Sequence, residues 1–327
     1  MQPSLEVVIP AFNAERFLAR AVASVFATGY PGIGVVIVDD GSSDGTRQVA
    51  ERLCNEWQGR CHVLRHPDGG NHGVSSSRNL GILATNSDWI ALLDADDFYL
   101  PNRFDAFKRE ISDGNRFEAL YEICEIRGDE AGQPPSPGSH QDRFGIETAL
   151  TGEALLSELL RGRCWATSAI TIRRDLLLRT GLFDAGKAIA EDCDLWFRMA
   201  AVGRIVAGEL ERPVSVYWRH ADNTYHYKPE HRVAMVRAML DGRRWARRNG
   251  ADAWVMDTYA EAVPAYVTRS IISVREAGEP RIAWRLLALL AKRGQVSTLL
   301  HLQTWRQVWG LLLDNFSRND DATRAKP

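Results

Sequence analysis

The chain predicts an α/β fold, a mostly parallel sheet flanked by helices, with an α-helical C-terminal extension. Three observations predict it. Short apolar runs alternate with amphipathic stretches over the first 125 residues, as strands and helices layered on a parallel sheet require. Polar loops rich in Asp follow most of those runs, and the carboxyl ends of strands are where open α/β sheets bind ligands. From about Pro229 onward strand signals give out and helical patterns follow one another. The pattern divides the chain into an α/β part, 1–227, with halves of about 1–125 and 126–227, and a helical extension, 228–327.

Glu6–Ile9, Val35–Val38, His62–Leu64 and Trp89–Leu93 read as short buried strands. Each leads through a loop into a helical pattern, at Glu15–Ala27, Thr46–Trp57, Val74–Ala84 and Pro101–Ile111. The stretch 127–150 collects Gly, Pro and polar residues and reads as a long excursion. Thr151–Leu160 and the region near Glu191–Ala201 look helical, while Ala169–Ile172 and Val214–Trp218 look like strands. Helices are expected at about 230–249, 252–275, 279–293 and 295–316, and no internal repeat is present.

Forty Lys and Arg against 42 Asp and Glu give a net charge of −2 over 327 residues. This excludes a domain that coats nucleic acid, which needs a clear basic excess. The balance is uneven: residues 228–327 hold 17 basic and 10 acidic side chains, so the remainder is acidic and the tail basic. No run of about 18 apolar residues occurs, so no transmembrane helix is expected. The N-terminus lacks a basic region followed by an apolar core. The five cysteines are scattered without a paired spacing, which fits reduced thiols in a cytoplasm.

Five segments carry candidate chemistry. In VDDGSSDGT, Val38–Thr46, a strand ends in two acids; Asp44 or Thr46 suits a helix cap, but capping leaves Asp40 unexplained. In LLDADDFYLP, Leu92–Pro101, a strand delivers Asp94, Asp96 and Asp97. An extended segment puts Asp94 and Asp96 on one side, where they repel unless a hard cation intervenes. Mg2+ or Mn2+ on few carboxylates takes its other ligands from substrate phosphates and water. In NHGVSSSRNLGI, Asn71–Ile82, Arg78 is either a solvated helix arginine or a contact for an anionic group near a helix start. In AIAEDCDLWFRMA, Ala188–Ala200, Glu191 and Asp192 either compensate a helix dipole or supply a general base. In YWRHADN, Tyr217–Asn223, His220 is either a hydrogen-bonded surface residue or a ligand.

Taken together, IPAFNAERFLARAVASV, VVIVDDGSSDGT, GVSSSRNLGI, DWIALLDADDFYLP, AEDCDLW and YWRHADN resemble the family 2 glycosyltransferases of the GT-A fold. The resemblance spans roughly residues 5–223. It implies an inverting transferase that moves a sugar from a nucleotide-diphosphate sugar, here a UDP-sugar, to an acceptor hydroxyl, with Mn2+ or Mg2+ as cofactor. Carried over by position, Pro10, Phe12, Asn13, Asp40, Arg78, Asp94 and Ala95 bind the nucleotide sugar, with Phe12 against the base where family members often have Tyr. Asp96 and His220 hold the metal, Asp192 is the catalytic base, and Glu191 and Trp165 lie on the acceptor side. The expected acceptor is a carbohydrate or a lipid-linked sugar, as in bacterial-type polysaccharide or glycolipid synthesis.

A different class is a non-catalytic sugar-nucleotide-binding or scaffolding protein of the same fold, against which the retained acids and Arg78 argue. A pyrophosphorylase is disfavoured because PAFNAE stands where a Gly-rich loop is expected, and a dinucleotide-dependent dehydrogenase because no G-x-G-x-x-G follows a strand. The segment Arg281–Leu313 has five Lys or Arg, no Asp or Glu, and Trp284, Trp305 and Trp309. It reads either as a helical appendage packed on the catalytic part or another subunit, or as a basic amphipathic surface touching the inner face of a membrane.

Overall fold

The computed structural model describes residues 2–128, 143–220 and 229–294. The chain opens as β1 (Leu5–Ala11), α1 (Leu18–Ala27), β2 (Gly34–Asp39), α2 (Thr46–Glu56), β3 (Cys61–Arg65), α3 (Val74–Ala84) and β4 (Trp89–Leu92). Then come β5 (Phe98–Tyr99), α4 (Asp105–Ser112), β6 (Ala119–Tyr121), β7 (Cys124–Gly128), β8 (Arg143–Phe144) and α5 (Gly152–Leu160). β9 (Ile170–Arg173), α6 (Arg174–Thr180), α7 (Glu191–Val202), β10 (Ile205–Ala207) and β11 (Ser215–Arg219) complete the α/β part. Three helices follow, α8 (Glu230–Arg248), α9 (Ala253–Glu276) and α10 (Pro280–Lys292).

The main sheet has seven strands in the order β10-β6-β9-β4-β1-β2-β3. β1 lies at its centre-right, with Val8 opposite Val36 on one side and Leu92 on the other, both parallel. Val35 to Val38 are all buried, because helices cover both faces of a parallel sheet and its strands read as continuous apolar runs. β9 runs antiparallel to both β4 and β6. A second sheet, β5-β11-β7-β8, carries His220 just past the end of β11.

Strand–helix units place β1, β2, β4 and their loops where the sequence pattern expects them. Short strands such as β5, β6, β8 and β10, and the helix α6, were not legible, since two to seven residues show no period. The expected excursion 127–150 contains β8, and its residues 129–142 lie outside the described part. So do the expected helix 295–316 and the tryptophans at 305 and 309.

Two cores flank the main sheet. One gathers Leu5, Val7, Ile9, Leu18, Val22, Val35, Ile37, Phe104 and Phe107. The other runs without a break from Val8, Leu92 and Ile172 through Trp165, Trp196 and Phe197 to Met239, Tyr259 and Leu286. The helical extension therefore shares a core with the α/β part. Polar links reinforce it: Lys187 Nζ lies 2.7, 3.1 and 3.3 Å from Asp184, Asp194 and Asp241, and Asp241 also meets Arg293 at 2.8 Å. Among the described residues no helix is long and apolar enough to cross a membrane.

Candidate functional site

The loops after β1 and β2 are sewn together. Asn13, with φ of 50°, accepts the Ser43 N–H at 2.9 Å while its own N–H goes to Ser42 Oγ at 3.1 Å. Ala14 N–H donates to Thr46 Oγ1 at 2.7 Å, and Gly45 N–H to Glu15 at 2.9 Å. Asp44 accepts the Thr46 N–H at 3.0 Å and its hydroxyl at 2.5 Å, a local side-chain turn just before Gly45, which is the N-cap of α2 in place of the expected Asp44 or Thr46. On this stiff wall Phe12 projects outward, 51% exposed despite its apolar ring. Pro10 is buried within β1 beside Val38.

The two acids of VDDG do different work. Asp39 accepts the Ser42 N–H at 3.0 Å and lies 3.1 Å from Arg65 Nε. Asp40, 3% exposed, reaches across to the loop before α3. One of its oxygens accepts the His72 N–H at 2.8 Å and the other the Gly73 N–H at 2.9 Å. Gly41, at φ +72°, lets that loop close in, since a Cβ there would sit 2.7 Å from the Gly70 carbonyl carbon.

The acids after β4 are not extended. Asp97 N–H donates to the Asp94 carbonyl at 3.1 Å, so the chain turns, and strand alternation does not apply. Contrary to the sequence expectation, Asp94 and Asp96 diverge. Asp94 Oδ1 accepts Arg78 Nη2 at 2.6 Å, whereas Asp96 Oδ2 lies 3.0 Å from His220 Nε2. Ala95 between them is buried. Asp97 is fully buried and accepts the Trp218 N–H at 2.9 Å.

Arg78 joins the two halves of the α/β part. Its side chain is 4% exposed, and its second Nη meets Glu191 at the start of α7 at 3.2 Å. Its guanidinium also lies 5.2 Å from the centre of the Phe183 ring. Burial opposes its charge, but Asp94, Glu191 and Asp192 outweigh burial, and its pKa is raised. The neighbouring Asn79 exchanges two hydrogen bonds with the main chain of Phe183, at 2.8 and 3.0 Å. Asp192 accepts the Cys193 N–H at 2.7 Å. Burial pushes the Asp192 carboxyl above its ordinary value, against the pull of that N–H and of Arg78. Glu191 is raised by burial and by Asp192. Asp96 is raised by burial and by Asp94, although His220 pulls it down.

Among the described residues no three His, Cys, Asp or Glu side chains converge as a ready metal cage. Asp96 and His220 are two neighbouring side chains of metal-ligating type. Their 3.0 Å separation matches two neighbouring ligands each about 2.1 Å from an octahedral cation. One carboxylate and one imidazole fit a Mg2+ or Mn2+ ion that keeps water and substrate phosphate as its other ligands.

Trp165 corrects the sequence expectation. It is fully buried, its ring centre 4.9 Å from Tyr121 in a stack and 5.6 Å from Trp196. A large indole on the inner side of α7 is core, so it offers no face to an acceptor. Residues of the site that the sequence did not single out are Phe17, Arg20 and Trp218. Only the aromatic pair Tyr217–Trp218 in the strand before His220 hinted at the last. A separate groove of about 860 Å³ opens at the opposite ends of the strands, lined by Asp88, Arg116, Glu118, Arg173 and Arg204, and none of the candidate site residues lines it.

Residues 6–137 match the family described as Glycosyl transferase family 2. The chain is 26% identical over 226 residues to the uncharacterized glycosyltransferase alr2836 of Nostoc sp., 68% of this chain and 66% of that one. It is 41% identical over 97 residues to the succinoglycan biosynthesis protein ExoU of Rhizobium meliloti, 30% of this chain and 27% of that one. The matches thus span less than two thirds of either relative's own length. Among solved structures, S. aureus TarS 1-349 in complex with UDP-GlcNAc is similar with a TM-score of 0.56 and 15% identity, covering 89% of this chain and 92% of that one. The mannosyltransferase PcManGT from Pyrobaculum calidifontis, in complex with GDP-Man and Mn2+, gives a TM-score of 0.53 and 17% identity over 98% of this chain and 87% of that one. The fold is that of the GT-A glycosyltransferase structures.

Replacing Arg78 by Met leaves Asp94 and Glu191 facing each other without a counter-charge. Urea unfolding should show a loss of about 3 kcal/mol, the usual cost of breaking a buried pair. The deficit should be smaller at pH 5 than at pH 8. Glu191, already raised with Arg78 present, then takes up a proton in the folded state and relieves the repulsion. Equal deficits at both pH values would show that Arg78 does not act as the counter-charge.

Proposed function

We propose that this chain, whose residues 6–137 match the family 2 glycosyltransferases, is a member of that family and transfers a sugar from a UDP-sugar to an acceptor hydroxyl with inversion at the anomeric carbon. The observation that carries this reading is the gathering at one end of the sheet of Arg78, Asp94, Asp96, Asp192 and His220, with Arg78 2.6 Å from Asp94 and 3.2 Å from Glu191, the neighbour of Asp192, and His220 3.0 Å from Asp96. The catalytic part is taken as 1–227 and the helical extension as 228–327.

The exposed Phe12 ring offers a flat face to the base. Asp40 takes the ring N–H of uracil on Oδ2, which accepts one backbone N–H and keeps a second lone pair, while Oδ1 has the His72 N–H and, at 3.4 Å, His66 Nε2. Asn13, Pro10 and Ala95 shape the pocket through the main chain and their fixed loops. Arg78 orients Asp94 toward the ribose and adds fixed positive charge below the diphosphate. Asp96 and His220 would hold a Mg2+ or Mn2+ ion, which would offset the charge of the departing nucleoside diphosphate.

Asp192 accepts the proton of the acceptor hydroxyl as that oxygen attacks the anomeric carbon from the face opposite the diphosphate. Its raised pKa makes it a better base than an exposed aspartate. Glu191 is held back by Arg78 and marks the acceptor side. A single displacement needs no nucleophilic side chain and inverts the centre. The likeness to ExoU supports a place in polysaccharide synthesis, with a carbohydrate or lipid-linked acceptor. The basic tail supports contact with the inner face of a membrane, an acidic partner or a second subunit.

Release of nucleoside diphosphate from candidate sugar donors tests the activity. Asp192→Asn should lower kcat by about 100-fold to 10,000-fold while UDP binding holds. Wild type and variant turning over at one rate would overturn the assignment. In the wild type, kcat/KM should rise with pH through a pKa above the ordinary aspartate value, since the base works only when ionised, and this limb should vanish in the variant.

Product configuration gives a second check. The proton coupling constant at the transferred sugar's anomeric carbon should report inversion, and retained configuration would reject the single displacement. For the cation, calorimetry of UDP with and without Mn2+ should show metal-dependent binding that Asp96→Asn abolishes. Metal-dependent binding that survives this substitution would remove Asp96 from the metal site.

A further inference from the structure

The Asp96–His220 pair is built from segments 124 residues apart, and its geometry depends on whatever holds the two together. The first turn of α1 meets both. The Phe17 ring, at the N-terminal boundary of α1, lies 4.5 Å from the His220 ring, centre to centre, at an interplanar angle of 32°. One turn on, the Arg20 guanidinium carbon lies 4.5 Å from the ring centres of both Phe98 and Trp218. Arg20 Nη2 also donates to the main-chain carbonyl of Asp96 at 2.7 Å. Trp218 is two residues before His220, and Phe98 follows the Asp94–Asp97 turn.

Arg20 therefore touches the acidic turn on one side and β11 on the other, while Phe17 backs the imidazole itself. A planar guanidinium suits this place. It stacks on aromatic faces and donates in its own plane, which an ammonium cannot do.

We propose that Phe17 and Arg20 are positioning residues that hold Asp96 and His220 at the spacing a divalent cation on a nucleoside diphosphate requires, so that α1 tunes metal affinity without touching the metal. The inference rests on the proposed roles of Asp96 and His220.

The test is a calorimetric titration of Mn2+ into the full chain at fixed UDP, repeated in Arg20→Met, Arg20→Lys and Phe17→Leu. The half-saturating Mn2+ concentration should rise by about tenfold in Arg20→Met, the usual loss for an outer-shell partner. It should rise less in Phe17→Leu and fall between in Arg20→Lys. UDP binding in the presence of a chelator should not change.

A purely structural role predicts the reverse pattern: a lower melting temperature, weaker UDP binding with and without metal, and an unmoved Mn2+ requirement. That pattern, alongside an Asp96→Asn control that has lost metal dependence, overturns the inference and leaves the proposed function standing. If Asp96→Asn keeps its metal dependence, the metal reading itself fails and the inference falls with it. Phe17 is half-buried, so Phe17→Leu keeps the test open should Arg20→Met fail to fold.

Discussion

The arrangement of the site depends on one buried guanidinium. Arg78 sits on a helix that packs against the central strands closely enough for a glycine to be required: a Cβ at Gly81 would lie 2.4 Å from Val8 Cγ1. From there it reaches Asp94 at the tip of β4 and Glu191 at the start of α7. Arginine cannot shed its proton in a protein, so this is a permanent positive charge. It allows Asp94, Glu191 and Asp192 to gather where desolvation alone would force some of them to protonate. It also fixes which acids are left over. With Asp94 committed to Arg78, Asp96 turns to His220.

The acids on that side crowd one another. Asp96 and Asp97 are both raised by burial and by their neighbours' charge, although Asp97 has the Trp218 N–H and Asp96 has His220. Structural acids are usually held low by the bonds they receive. Here burial and like charge outweigh those bonds. The −2 of the whole chain conceals this local excess, because the basic extension cancels it in the sum but not in space.

Much of this was legible in the sequence where residue type and period agree. β1, β2 and β4 are continuous apolar runs that end in Pro-Ala-Phe-Asn, Asp-Asp-Gly and Asp-Ala-Asp-Asp, so both the sheet and its functional edge could be placed. Asp94 and Asp96 could not be oriented. Strand alternation was extended past Leu92 into a turn closed by the Asp97 N–H, where its period of two no longer holds. Trp165 was misplaced because an isolated tryptophan beside polar residues reads equally as a binding face or a core residue. Its stack on Tyr121 depends on β6, a three-residue strand without a sequence signal. Arg20 was invisible for a related reason. On α1 it is an ordinary charged residue of an amphipathic helix, and its role comes from Phe98, Trp218 and Asp96, which are 76 or more residues away along the chain.

The helical extension bears on the same edge of the sheet. α7 carries Asp192 in its first turn, and its apolar face, with Trp196, Phe197 and Met199, is buried in the core that α8, α9 and α10 complete. Gly242 on α8 lets the helices approach, since a Cβ there would lie 2.6 Å from the Tyr259 hydroxyl and 3.3 Å from Phe197. Lys187, in the loop leading into α7, bridges Asp194 on that helix and Asp241 on α8. The position of Asp192 is thus set from two directions, by Arg78 through its neighbour Glu191 and by the extension through the body of α7. A helix carrying a proposed base on a fixed trajectory needs both, because a contact at its first turn alone would leave the helix free to pivot about it.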